Sequence, residues 1–373
     1  MAKKSYIGID GKARQVKKWY LGVDSKARKV KKGYIGVGGV ARPFMSGEEV
    51  EYYGTITALS QGRSYLAGAS VGDYALFAGG YYDAGKNSSS VVNAYNSSLV
   101  RSSPTALKSA MYRLAGASVG DYALFASGRA RPSLNAYSSS LVRSNPTDLS
   151  GNGTDLAGTS FGNYAIFAGG YDGSECTASV CGYTSSLVRA TLSELSNATH
   201  RLAGASNGKY ALFAGGSNIS SETTMNTRWN SVDAYNSSLV KSTPPTSLTT
   251  ARESLAGASV GDYALFAGGS TGTSYISTVN AYNSSLVKST PTALSVARKA
   301  LAGISIGDFA IFAGGRASDG ESAVVDVYNN SLVRSTAISL SKKRDGLAGA
   351  SVGKYALFAG GGTYSSVVDA YTI

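Results

Sequence analysis

The sequence predicts an all-β chain that closes as a seven-bladed β-propeller, and three features of it say so. The tripeptide Leu-Ala-Gly recurs with its Leu at 66, 114, 156, 202, 255, 301 and 347, at spacings of 48, 42, 46, 53, 46 and 46 residues. That period holds four short strands, and seven such units complete a ring. The composition agrees: 46 Gly and 25 Tyr, with 43% hydrophobic and 16% charged residues, favour strands and tight turns and exclude a disordered chain. Finally, the two ends complement each other. The last unit stops at Tyr371-Thr372-Ile373, one strand short, and Val50–Gly54 stands where an outer strand belongs ahead of the first unit. Such an exchange removes the open edge of the ring.

Within one unit the elements follow in order. Leu301–Ser305 reads as strand a, with Ala and Gly allowing close approach at the ring axis. Ile306-Gly307-Asp308 turns the chain into strand b, Phe309–Ala313, which Gly314-Gly315 ends. After a loop, Val324–Tyr328 is strand c, Asn329-Asn330 a turn, and Ser331–Ser335 strand d. The aromatic pair on strands b and c, Phe266 and Tyr282 in one unit, is expected to pack between blades.

These units resemble kelch repeats over residues 50–373. The carriers are Gly doublets such as Gly79-Gly80 and Gly268-Gly269, a Tyr in strand c at 95, 137, 183, 235, 282, 328 and 371, and Arg63, Arg252, Arg298 and Arg344 ahead of strand a. The family's strand-d Trp is replaced by Leu or Val, as in Leu286-Val287, and the second unit reads Ser127-Gly128 for the doublet. The resemblance implies the propeller fold.

Residues 1–44 are distinct from the propeller region, 45–373. They hold 12 Lys and Arg against two Asp, so they carry +10 of the net +12. Their period is 14, from Lys4–Arg14 to Lys18–Arg28 and Lys32–Arg42, and Asp10-Gly11 between β-prone runs signals a hairpin. Repeats of this kind are similar to N-terminal segments of phage and prophage structural proteins of Gram-positive bacteria. The resemblance implies attachment to other virion or particle proteins, with Tyr6, Arg14, Tyr20, Arg28, Tyr34 and Arg42 as the attachment residues. So short a segment buries little core alone, so it needs a partner or copies of itself, such as a homotrimer. A solvated tail or a nucleic-acid arm are the competing readings; nucleic acid is disfavoured because the basicity is confined to this segment.

Function is expected on one face. The a–b turns (Val71-Gly72-Asp73, Val260-Gly261-Asp262) and c–d turns (Asn96-Ser97-Ser98, Asn283-Ser284-Ser285) scarcely vary among units, whereas the d–a and b–c connections differ in every one. Strand alternation puts those two variable sets on the same side, as binding surfaces on rigid scaffolds usually are. Tyr65, Tyr81, Tyr82, Tyr112, Arg113, Arg131, Arg201, Trp229, Arg252, Tyr275, Arg298, Arg316 and Arg344 are the candidate binding residues, for a host cell-surface glycan or protein. Unconstrained drift of the loops is the plainer alternative.

Little points to catalysis. His200 is the single His, too few for the copper site of some kelch-like oxidases, and there is no phosphate loop or His/Cys cluster. No cofactor or metal is expected; Asp155, Glu253 and Asp345 are scattered loop acids that could meet at the ring mouth. The Asn-x-Ser/Thr triplets read as Asn-initiated turns. Cys176 and Cys181 either pair across a loop or stay free. No apolar run long enough to span a membrane and no signal-peptide stretch is present, so membrane insertion is not expected. The expectation is a non-enzymatic adhesin of a phage or phage-tail-like particle, assembled in the bacterial cytoplasm. A purely structural virion decoration or spacer, and a cellular kelch-type scaffold, are the alternatives.

Overall fold

The computed structural model describes residues 6–9, 12–15, 20–23, 26–29, 32–37 and 40–46 as backbone strands, and residues 49–127, 132–151, 153–218, 227–242 and 246–373 with their side chains. Contacts divide the chain into two units, Met1–Val50 with Ile373, and Glu51–Thr372. In the first, Tyr6–Ile9 pairs with Lys12–Gln15, Tyr20–Val23 with Lys26–Lys29, and Lys32–Val37 with Val40–Ser46, all antiparallel. The Asp10-Gly11 turn and the side chains of Tyr6, Arg14, Tyr20, Arg28, Tyr34 and Arg42 lie outside the described residues.

The second unit is a seven-bladed β-propeller, each blade a four-stranded antiparallel sheet in the order a-b-c-d. Blade 1 is typical: a is Ala67–Val71, b Tyr74–Ala78, c Val92–Asn96 and d Arg101–Ser102. Strand a alternates buried residues with half-buried ones, or with the exposed Ser160 in blade 3, whereas b and c are buried almost throughout, because a neighbouring blade covers each of their faces. Phe266 and Tyr282 do pack between blades, meeting edge to face at 6.1 Å against residues of the preceding blade. The strand-c Tyr hydroxyls also stitch blade to blade. Each donates to a carbonyl in the connection ahead of its own blade, from Tyr95 to Thr57 at 2.8 Å to Tyr371 to Ile338 at 2.8 Å.

Blade 7 takes its outer strand from the start of the propeller. Glu51–Ile56 pairs with Val368–Thr372 across a bulge at Ala370/Tyr371. Tyr52 donates to Asp369 at 2.7 Å, and burial together with that carboxylate pushes the Tyr52 hydroxyl up to about 12.

Strand d is shorter than expected. In blade 6 it is Arg334–Thr336, and Ser331–Val333 belong to the turn. The Asn329 side-chain oxygen accepts from the N–H groups of Ser331 and Val333, both at 3.0 Å, and holds Leu332 at φ 59. Asn96, Asn236 and Asn283 build the same Asn-initiated turn.

The ring closes around glycines. A Cβ on Gly68, Gly116 or Gly257 would overlap the carbonyl oxygen of the matching glycine one blade back. Gly116→Val should therefore destabilise the propeller by about 3 kcal/mol or more, the upper range for overpacking, since backbone cannot rotate away. A urea midpoint equal to the parent's would disprove the steric argument.

Three candidate binding residues prove to be core. Arg252, Arg298 and Arg344, with Arg63, are at most 1% exposed. Each guanidinium folds back under its own blade and donates to backbone carbonyls and to a strand-c amide or carboxylate. Arg252 reaches Phe266 O at 3.0 Å and Asn280 Oδ1 at 3.1 Å; Arg298 reaches Phe312 O at 3.1 Å and Asp326 Oδ2 at 2.8 Å. They tie the d–a connection to strands b and c and cannot touch a ligand.

Candidate functional site

The d–a and b–c connections share a face and bond directly to each other. Ser64 bridges to Tyr81, Thr154 to Tyr171, His200 to Ser217, Glu253 to Ser270 and Lys299 to Arg316. At the centre of this face opens the axial channel, enclosing about 600 Å³.

Its mouth is built from one repeat position, the residue just before Leu-Ala-Gly: Tyr65, Arg113, Asp155, Arg201, Ser254, Ala300 and Gly346. All seven adopt φ between 50 and 57, a conformation that disfavours side chains other than Gly. The compensation is a closed circle of backbone hydrogen bonds. Each N–H donates to the carbonyl of the same position one blade earlier at 2.7–3.1 Å, and Tyr65 closes it onto Gly346. The backbone is thus identical around the rim, while the residue type changes with each blade, and these residues line the mouth.

One arc is a charge ladder. Arg113 pairs with Asp155 at 2.8 Å, Arg201 lies 3.9 Å from Asp155 and 3.3 Å from Glu253, and Arg228 lies 3.3 Å from Glu253. Burial alone would raise the Glu253 carboxyl, but a 2.6 Å bond from Ser217 and the two guanidiniums outweigh it and hold it below the ordinary Glu range. Burial likewise works against the Arg113 charge, and Asp155 more than restores it. Beside this ladder Tyr81 and Tyr112 stack at 4.3 Å, Tyr65 meets Tyr81 edge-on at 6.3 Å, and Arg113 lies 5.1 Å over the Tyr65 ring. The far arc holds Lys299 over Tyr275 at 5.2 Å and Arg316 paired with Asp345 at 3.3 Å.

The candidates thus separate. Tyr65, Tyr81, Tyr112, Arg113 and Arg201 come together, and Tyr82 stands exposed beside Tyr81. Tyr275 and Arg316 occupy the other arc, and Trp229 is half-buried on the blade 4 loop, which bonds back to Gly216 and Arg252. Arg131 lies outside the described residues. Residues not singled out as binders, Lys299 and the acids Asp155 and Asp345, also line the mouth, and Glu253 backs Arg201. For Asp155 the signal was available, since the position before Leu-Ala-Gly is never repeated in adjacent units; Glu253, Lys299 and Asp345 stand one residue earlier.

His200 is buried, and its Nδ1 lies 2.9 Å from Ser217 O and 3.3 Å from Cys176 Sγ. A carbonyl at that distance takes the Nδ1 proton, so this nitrogen is not a base for the thiol. Cys176 and Cys181 are both buried, and no disulfide joins them. Among the described residues, no three His, Cys, Asp or Glu side chains form a metal-binding group, and no helix is long and apolar enough to cross a membrane.

The opposite face is uniform. Its c–d turns expose Val100, Val142, Val188, Val240, Val287 and Val333, each at least 51% accessible. The closing strand starts at this side, since Glu51 pairs with Thr372, next to the a–b and c–d turns, and Ile56 with Val368. No family model matches the chain, and no curated protein matches it.

Proposed function

We propose that this chain is a kelch-type display protein of a phage or phage-tail-like particle, held through residues 1–44 and presenting the channel face to a host cell surface. The observation that carries this reading is the polarity of the disc. The chain enters the propeller on the uniform side, and most side-chain variety is gathered on the other. An anchored display module needs that arrangement. The exposed valine ring suits contact with neighbouring particle proteins, and it also favours the second reading, a purely structural decoration that packs through this face.

Full-length labelled protein should bind Gram-positive cells, and Arg113→Ala should reduce that binding about tenfold, a loss of about 1.4 kcal/mol, with an unchanged melting midpoint. Val142→Ser, on the uniform face, should leave it intact. Equal loss from both variants, or an unaffected Arg113→Ala, rules out the channel face as the binding side.

A further inference from the structure

We infer that the Tyr65–Tyr81–Tyr112 cluster with Arg113 and Asp155 is a subsite for a neutral sugar unit; this rests on the display reading above and names the ligand class of that face. Aromatic and polar groups meet there as a pyranose requires. A sugar ring has an apolar C–H face that packs on an aromatic ring, and an edge of hydroxyls that both donate and accept. Tyr81 and Tyr112 form a stacked platform, with the edge of Tyr65 fixing its inner border. Next to them the Arg113 guanidinium, on a side chain 29% exposed, presents N–H donors at the channel mouth. Asp155 meets both its guanidinium partners through Oδ2, which leaves Oδ1 to accept. Guanidinium donors beside a carboxylate acceptor fit a hydroxyl pair.

The ladder itself favours neither sign of charge. An anion drawn to Arg113 and Arg201 meets Asp155 and Glu253, and a cation meets the reverse, because the ladder alternates in sign. A neutral polyol pays neither repulsion. Tyr65, Arg113 and Asp155 line the axial channel, and the Tyr81–Tyr112 stack stands outside that lining. The stacked tyrosine pair belongs to blades 1 and 2: at the position of Tyr81, after the Gly doublet, blade 3 has Tyr171, which meets His200 at a tilt instead, and blades 4, 5 and 6 have Ser217, Ser270 and Arg316.

The test uses the full chain with two probes: an array of neutral and acidic oligosaccharides, and Gram-positive cells left untreated, oxidised with periodate, or shaved with protease. Neutral sugars should bind on the array, Tyr112→Ala should lose about tenfold, and Tyr112→Phe, which keeps the ring, should stay within about threefold. Cell binding should fall after periodate and survive protease. Cell binding that protease removes and periodate spares overturns the sugar assignment while keeping the display reading. Neutral-sugar binding that Tyr112→Ala reduces, without any cell binding, keeps the sugar site and ends the display reading. Preference for acidic oligosaccharides, or binding to neither probe, overturns the sugar assignment.

Discussion

Asp326→Ala is expected to destabilise the propeller by about 3–5 kcal/mol, the cost of leaving a buried charge without its counter-ion. Asp326 is fully buried, and it accepts from Arg298 at 2.8 Å, Arg334 at 3.1 Å and the Ser295 N–H at 3.1 Å. Alanine removes all three acceptor contacts at once. Asp326→Asn is the informative partner, because blades 1 and 5 already hold this arrangement, with Arg63 on Asn93 at 2.9 Å and Arg252 on Asn280 at 3.1 Å. There burial without a carboxylate lowers both guanidiniums to about 10, still protonated at neutral pH. The Asn variant should therefore lose less than half of what Ala loses, read as urea midpoints by circular dichroism. An Asn loss equal to the Ala loss would show that the carboxylate charge matters more than the acceptor geometry.

Loss of the closing strand should have the other large effect. Removing residues 1–48 leaves Glu51–Ile56 in place, and the melting midpoint should hold. Removing residues 1–57 takes the ladder to Val368–Thr372, the Tyr52–Asp369 bond and the Tyr52–Tyr371 contact at 5.2 Å. It also takes the Thr57 carbonyl that accepts from Tyr95. Several hydrogen bonds at ~0.5–1.5 kcal/mol each give a loss on the order of 5 kcal/mol, and the bared edge invites pairing between molecules. Size-exclusion chromatography should show oligomers or aggregate, and a peptide of residues 49–57 added in trans should restore the monomer. A monomeric, equally stable product would mean that closure does not depend on this strand.

The propeller was legible in the sequence because its signals are repeated. Period, strand pattern and the exchange of ends each speak through several copies, so Val50–Gly54 is placed correctly to within two residues of Glu51–Ile56. Strand ends were less legible. Ser331–Val333 look β-prone, but the Asn329 side chain captures their N–H groups first. The site was legible as a face and not as a set of residues. Arg252, Arg298 and Arg344 stand in variable connections and carry charge, which marks them as exposed by type. Their spacing to an acceptor in strand c, 28 residues from Arg252 to Asn280 and from Arg298 to Asp326, is the trace that marks them as core. The acids near the mouth look scattered in the sequence because separation along the chain hides their contacts: Arg201 and Glu253 are 52 residues apart and 3.3 Å in space.

The circle of backbone hydrogen bonds at the channel mouth sets a gauge. Each blade contributes one link of fixed length, from one N–H to the previous carbonyl, whichever side chain the link carries. The bore is therefore counted in blades, and gaining or losing a repeat would change it by a whole step. Point substitutions at the same seven positions recolour the rim at constant diameter. Single codon changes can thus alter the chemistry of the rim without altering the width of the aperture.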